Sequence, residues 1–419
     1  MSRILRIDMT NLKAEFQDPP SEFGRLGGRG LSSHIIYSEV PATCHPLGKD
    51  NRLILAPGLL AGSAAPSSGR LSVGAKSPLT GGIKEANVGG TPGHKMARLG
   101  LKAIILEGQP ARDSLYLIKI NKEGVTILPA PELKGLGNYA TAQRLLHEHG
   151  DKAGIICIGP AGETRLAAAS VACTDPQGRP ARHAARGGMG AVMGSKGIKA
   201  IIIDDEGTEG LEARDKKAFR DTCQAFVREI LERKATSLLS QFGTIGGLVW
   251  LSKWGSLPTR NFTCGTFEGD SAIGGKGVAE VNASRGGSFG QVCMPGCVVR
   301  CSNTIHDKDG HFVTAGFEFE SGAMLGSNLG IDNRDDLFAL ERMCDDLGLD
   351  TIEIGGALGV AADAGLYTFG DSQRALALLQ EVGQGTPPGP GVGAGGCGHR
   401  PHLRHQPGAS GKGAGHARP

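Results

Sequence analysis

The chain has 419 residues, a formal charge of +3, 67 glycines and 10 cysteines. That length accommodates two or three domains, and a near-neutral balance argues against nucleic acid or an anionic membrane surface as partner. No apolar run reaches the roughly 18 residues of a membrane span and the N-terminus lacks a signal-peptide core, so a cytoplasmic protein with reduced thiols and no membrane contact is expected.

Residues 1–205 read mainly as strands separated by glycine loops. Short β-branched runs occur at Arg52–Leu55, Leu71–Val73, Ala103–Leu106, Ala153–Ile158 and Ala200–Ile203. Leu115–Ile120 and Val125–Leu128 flank Asn121-Lys-Glu-Gly124 and predict a hairpin. Gly100-Leu-Lys-Ala-Ile-Ile-Leu106 returns as Gly197-Ile-Lys-Ala-Ile-Ile-Ile203, each copy after a glycine-rich stretch. Two related loop–strand units predict a sheet domain with an internal pseudo-two-fold; chance likeness of short apolar strands is the alternative.

After Asp205 the period changes. Phe219, Cys223, Phe226 and Ile230 mark an amphipathic helix. Asp332 is placed to cap a helix holding Leu337, Leu340 and Leu347, Asp350 another through Ala364, and Asp371 a third through Leu379. The expected fold class is α+β: a β-rich domain at 1–205, a mainly α-helical domain at 206–384, and a tail at 385–419. From Gln384 onward come 11 glycines, 6 prolines and 4 histidines with almost no large aliphatic residue. Such a stretch cannot bury enough to order itself, and reads either as a natural disordered tail or as a shifted reading frame.

Three cysteines at strict spacing, Cys293, Cys297 and Cys301, are the strongest chemical signal. Thiols this close hold an iron–sulfur cluster or, alternatively, zinc. On a helix they would line one face. Cys44, Cys157, Cys173, Cys223, Cys264 and Cys344 lack partners at ligand spacing and are expected to be buried thiols. The loops Ser67-Ser-Gly-Arg-Leu-Ser-Val73, Ala86-Asn-Val-Gly-Gly90 and Ala181-Arg-His-Ala-Ala-Arg-Gly-Gly-Met-Gly190 pair bare backbone amides with Arg or Asn, which suits phosphates and polar heterocycle edges. None has Walker spacing, and the glycines are read as preceding strands, which excludes a dinucleotide fingerprint.

Taken together, Arg70 with Lys76-Ser-Pro-Leu-Thr-Gly81, the loops at 86–90 and 181–196, Ile158-Gly-Pro-Ala-Gly-Glu163, Glu318-Phe-Glu320, Gly326-Ser-Asn-Leu-Gly-Ile331 and Met343-Cys-Asp-Asp-Leu-Gly-Leu-Asp-Thr351 resemble the aldehyde ferredoxin oxidoreductase family through about residue 384. The resemblance implies a β base for two pterins with helical domains above it. It implies tungstopterin (tungsten or molybdenum between two pterin dithiolenes), a 4Fe-4S cluster, and magnesium bridging the pterin phosphates. The reaction implied is oxidation of a small aldehyde by water to the carboxylate, with electrons passing to ferredoxin. By position, Arg70, Asn87, Gly89, Arg182, His183, Ala185, Arg186, Asp345, Leu349 and Asp350 match pterin-binding residues. Glu320 matches the glutamate beside the metal, and Cys293, Cys297 and Cys301 match cluster ligands.

Several positions depart from the pattern. His183 and Ala185 stand where the family has alanine and glycine, so only backbone contacts carry over. Both cysteine gaps hold three residues instead of two then three. Ala339 and Arg342 replace a Glu-x-x-His pair that binds an interface iron, so a homodimer would rest on other contacts. The family's last helical domain, with its fourth cluster cysteine, has no counterpart, and Cys397 matches no such motif. The product is therefore expected to be catalytically impaired. Aromatic thioester reduction, 2-hydroxy acid oxidation and a non-catalytic iron–sulfur remnant are the alternatives. The segment from Gly243 through Trp250 and Trp254 to Phe262 is expected to line a substrate channel or to be core.

Overall fold

The computed structural model describes residues 2–384; the tail, with Cys397, lies outside the described residues. Twelve strands build two sheets. The first holds β1 (Arg3–Asp8), β2 (Lys13–Gln17), β3 (Leu53–Pro57), β4 (Leu71–Lys76), β5 (Ile83–Val88) and β6 (Leu101–Glu107) in the order β2-β1-β6-β3-β4-β5. The second holds β7 (Tyr116–Asn121), β8 (Gly124–Pro129), β9 (Gly154–Cys157), β10 (Val171–Cys173), β11 (Arg182–Ala184) and β12 (Ile198–Ile203) in the order β8-β7-β12-β9-β10-β11.

The two orders are the same, shifted by six strands. In each sheet the echoed strand, β6 or β12, lies parallel to the first strand of its unit and antiparallel to the third. Even the register irregularity recurs, with Lys102 and Lys199 skipped at matching points. The predicted pseudo-two-fold is thus a property of the fold. Apolar side chains of both sheets, among them Leu55, Val73, Ile104, Ile156 and Ile201, share one core.

Helices also belong to this domain, which was expected to be mainly strands. α1 (Gly28–Glu39) buries Leu31, Ile35 and Ile36 and packs on β4. A Cβ on Gly74 would lie 3.1 Å from both Ile36 Cδ1 and Ser32 Cβ. Gly74→Ala should therefore cost about 1 kcal/mol of overpacking, read as an earlier urea midpoint; an unchanged midpoint would refute this packing. α2 (Pro92–Arg98), α3 (Asn138–His149), α4 (Pro160–Glu163) and α5 (Met189–Ser195) complete the domain. The glycine stretches after β5 and β11 lead into α2 and α5, so they link strand to helix instead of preceding strands. Gly188, the N-cap of α5, has φ 75°, a conformation glycine adopts without Cβ strain.

The second domain runs through α6 (Lys216–Glu232), α7 (Lys234–Phe242), α8 (Leu248–Lys253), α9 (Asp270–Ile273) and α10 (Gly275–Ser284). A three-stranded sheet absent from the sequence expectation follows: β13 (Ser288–Gln291), β14 (Ser302–His306) and β15 (Phe312–Ala315), antiparallel throughout. Then come α11 (Phe319–Ser321), a π-helical turn at Gly322–Gly326, α12 (Arg334–Leu347), α13 (Thr351–Asp363) and α14 (Ser372–Gln384). Asn333, not Asp332, caps α12, accepting from the amides of Asp335 and Asp336. Asp350 caps α13 as expected. α6 forms where predicted, yet none of its residues is buried. Cys157, Cys173 and Cys344 are buried, Cys44 and Cys223 only partly, and Cys264 is exposed. Trp250 and Trp254 are 61% and 72% exposed, which excludes a core role.

Candidate functional site

The edge strands β5 and β11 of the two sheets come together, and the second domain closes over them. Between them lies a cleft of about 780 Å³. Of the sequence-predicted site residues, Arg70, Asn87, Gly89, Arg182, His183, Ala185, Arg186, Cys293, Cys301, Glu320, Asp345, Leu349 and Asp350 all line it. Only Cys297 sits behind the lining.

On the first sheet, Arg70 enters β4 opposite β5. Its Nε donates to Asn87 Oδ1 and its Nη2 to the Asn87 carbonyl at 3.1 Å. Gly89 then brings the chain against the cysteine loop: a Cβ there would stand 3.0 Å from the Cys293 carbonyl oxygen, and the Gly90 amide donates to that oxygen at 2.7 Å. A side chain there would crowd this approach.

The cysteine segment is a loop, not a helix. It is pinned by Ser67 N–H to Gly296 O at 2.9 Å and by Val298 N–H to Ser67 Oγ at 3.3 Å. The Cys293 thiol donates to Cys297, which pushes Cys297 down to about 5 and Cys293 up. Burial pushes Cys301 up to about 11. Among the described residues, the one group of three side chains close enough to share a single ion is Asp307, Asp309 and His311, on the exposed β14–β15 turn. Cys293 and Cys297 are thus in contact, whereas the three thiols do not all come as close together as that acidic group does.

On the second sheet, β11 carries Arg182 and His183. Arg182, 7% exposed, donates to Ser302 Oγ at 2.6 Å and stands 3.8 Å from Glu318 Oε1. His183 bridges Ser170 Oγ, 2.7 Å from Nδ1, and Asp345 Oδ1, 3.1 Å from Nε2. Ser170 is fully buried, so this Ser–His–Asp line offers no accessible nucleophile. Arg186 pairs with Glu320 at 3.1 Å, both about half exposed; such a pair adds little stability. Glu318 accepts from Thr244 Oγ1 at 2.6 Å. About a quarter of its side chain faces the cleft, and burial pushes its carboxyl up against the opposing pull of Arg182. Thr244 is where the segment expected to line a channel reaches the cleft.

α12 and α13 supply the remaining wall. Gly348 ends α12 at φ 75°, and Leu349 N–H returns to Cys344 O at 2.8 Å. The Asp350 amide bonds Ala168 O at 2.9 Å, tying this corner to the first domain. Asp350 is 2% exposed; burial pushes its carboxyl up to about 6. Arg342 has a structural task, with its guanidinium 3.3 Å from the Tyr139 ring centroid and a bond to Val313 O.

The sequence reading missed Glu341, which also lines the cleft and is 4% exposed. Its signal was present: an acid on the buried stripe of α12 with Leu337, Cys344 and Asp345. Three buried polar atoms of the cleft residues, Arg182 Nε, Glu341 Oε2 and Asp350 Oδ2, have no protein partner. Each unpaired buried group costs about 1–3 kcal/mol, so this lining fits a bulky ligand bearing both donors and acceptors.

The sequence matches two family descriptions: "Aldehyde ferredoxin oxidoreductase, N-terminal domain" over residues 4–205, and "Aldehyde ferredoxin oxidoreductase, domains 2 & 3" over residues 221–394. The tungsten-containing aldehyde ferredoxin oxidoreductase of Pyrococcus abyssi is 34% identical over 385 residues, covering 91% of this chain and 60% of that protein. An aliphatic sulfonate oxidoreductase, WOR-like subunit, of Pyrococcus furiosus is 27% identical over 91% of this chain and 61% of its own length. The solved active-site complex BamBC of benzoyl coenzyme A reductase shares the fold, with a TM-score of 0.82 over 97% of this chain and 63% of its own, at 22% identity. A doubled β base, closed by the second domain over a cleft that two thiols line, is thus the framework of this chain. The chain belongs to the aldehyde ferredoxin oxidoreductase family. It spans about 60% of the length of the curated relatives it matches. Among the described residues, no helix is long and apolar enough to cross a membrane.

Proposed function

We propose that this chain forms the cofactor-binding part of a tungsten–pterin oxidoreductase. It converts an aldehyde or related oxo substrate and water to the carboxylic acid, two protons and two electrons. Cys293, Cys297 and Cys301 would hold a 4Fe-4S cluster, which would supply the electron path to ferredoxin or a similar carrier. The observation that carries this reading is the convergence of the thiols, two arginines from different sheets and three orphan polar atoms on one cleft.

A bound tungstopterin would supply the two-electron oxidation. The protein's own residues hold, orient and move protons. Arg70 and Arg182, with Asn87 and the bare backbone at Gly89, provide donors for phosphate and heterocycle oxygens. Magnesium between the pterin phosphates belongs to the same proposal. Glu320, in the cleft wall beside Arg186, accepts the proton lost as water attacks the aldehyde carbon. Glu318, whose carboxyl burial favours the neutral form, is the neighbouring proton store. Substrate profiling separates aldehyde oxidation from the sulfonate and thioester chemistries named for related proteins.

The test is the iron and pterin content of protein made anaerobically with tungstate. Iron with a broad thiolate-to-iron absorption band, together with fluorescent pterin after acid oxidation, is the expected result. Cys297→Ser should lower iron several-fold while leaving the fold intact by circular dichroism. Protein with zinc, or with neither iron nor pterin, would overturn the proposal. Among the described residues no cysteine lines the cleft besides Cys293 and Cys301, with Cys297 behind them, so aldehyde-dependent dye reduction by this chain is expected to be weak.

A further inference from the structure

The cysteine loop is gripped from the first domain by residues 58–70, a loop that Gly58 N–H closes onto Arg70 O at 3.4 Å. Ser67 makes the grip. Its N–H bonds Gly296 O at 2.9 Å and its Oγ accepts from Val298 N–H at 3.3 Å, so one serine holds the residues on both sides of Cys297. With the Val298 amide on an oxygen lone pair, the hydroxyl proton is left to donate to the Cys297 sulfur, which also accepts from the amides of Val299 and Arg300. Ser67 at φ 56° and Arg300 at φ 55° are both non-glycine residues in the left-handed region. That conformation costs free energy and gathers at functional sites. Here each strained residue turns a donor onto the same sulfur.

We propose that Ser67 is a positioning residue for the cluster on Cys293, Cys297 and Cys301, its hydroxyl bonding the Cys297 sulfur and raising the cluster's reduction potential. The proposal rests on the iron–sulfur reading above. Reduction adds negative charge to a cluster and its ligand sulfurs. A donor aimed at one of those sulfurs therefore stabilises the reduced form more than the oxidised one, and hydrogen bonds to sulfur are among the factors that set such potentials. The backbone points the same way: glycine adopts this φ without strain but carries no hydroxyl.

The experiment compares wild type, Ser67→Gly and Ser67→Thr in the full 419-residue chain, purified anaerobically. Iron is measured per mole of protein, and the potential by dye-mediated titration followed through the electron paramagnetic resonance of the reduced cluster. Urea midpoints are taken on cluster-free samples. Ser67→Gly should bind as much iron as wild type and show a more negative potential. Its midpoint should stay near that of wild type, because relief of strain offsets the lost Val298 bond. Ser67→Thr keeps the hydroxyl on a β-branched residue at positive φ, so it should unfold earlier yet hold a potential near that of wild type. A serine with only a structural role would not separate potential from stability in this way. A wild-type potential in Ser67→Gly, an equally negative one in Ser67→Thr, or loss of iron from either variant while wild type keeps it overturns the inference alone. Wild-type protein that binds zinc, or no iron, refutes the underlying reading and the inference with it.

Discussion

Arg182→Met is expected to lower stability by about 3–5 kcal/mol at pH 8, the cost of breaking a buried charged network by removing one partner. Arg182 reaches from β11 into the second domain, bonding Ser302 on β14 and facing Glu318 before α11. Methionine fills much of the volume but strands the Ser302 hydroxyl and leaves Glu318 with Thr244 as its hydrogen-bond partner. The deficit should depend on pH. Burial already raises the Glu318 carboxyl above its usual range, and Arg182 opposes that rise. Without the arginine the folded-state value climbs further, so Glu318 contributes most when protonated and loses stability as pH rises through that value. Urea midpoints at pH 5.5 and pH 8 should therefore differ more for Arg182→Met than for wild type. A loss below about 1 kcal/mol, or one that does not change with pH, would show that Arg182 is not the tie between the domains. Arg182→Lys should recover only part, since an ammonium lacks the planar fork that serves both partners.

Asp350→Asn should do the opposite. Asp350 Oδ1 caps α13 by accepting from Ile352 N–H at 3.0 Å, while Oδ2 is buried without a partner. Asparagine caps equally well and carries no charge. Burial lifts the carboxyl from 3.8 to about 6. A raised value means the group's stabilising contribution is complete below about pH 4 and disappears as pH rises through about 6. Above that the folded protein bears the full cost of an ionised buried acid, on the order of 3 kcal/mol at about 1.4 kcal/mol per pH unit. The asparagine N–H facing the same cleft trims the expected gain to about 2 kcal/mol. Chemical unfolding of the cofactor-free protein should show this gain at pH 8 and almost none at pH 4. Equal gains at both values would place the effect in the cap instead of the charge. Pterin retention should fall in the same variant, since positions that destabilise the empty protein are commonly those kept for a ligand.

Legibility in the sequence followed the size of each signal. Seven-residue segments rich in aliphatic residues, Gly100–Leu106 and Gly197–Ile203, announced both sheets and their kinship. α1 escaped because Gly28, Gly30 and the Ile35-Ile36 pair are poor helix formers; contact with β4 overrides that preference. β13, β14 and β15 have four or five residues each, with Ser, Asn and Gln among them, too short and polar for period-two reading. Most site residues were found through motif order, not periodicity: nothing local in Arg70 or Asp345 says that they meet. Glu341 was hidden for the complementary reason, as a chemical signal outside every motif that carries the family resemblance. The cysteine loop shows the limit of spacing: equal gaps would set three thiols on one face of a helix, but two backbone bonds and the Ser67 hydroxyl hold the segment as a loop.

The matching order of the two sheets has a consequence for how such a cleft can exist at all. The site lies where edge strand β5 meets edge strand β11, equivalent positions in the two units. A lone unit would expose one such edge and could enclose a ligand only by pairing with a second molecule, a concentration-dependent and symmetric arrangement. Joining the units in one chain makes the encounter intramolecular. It also releases the two edges from identity, so that one bears Asn87, bonded by Arg70, while the other bears Arg182 and His183. The cleft therefore has two unlike walls, where a pairing of identical units would have given two alike.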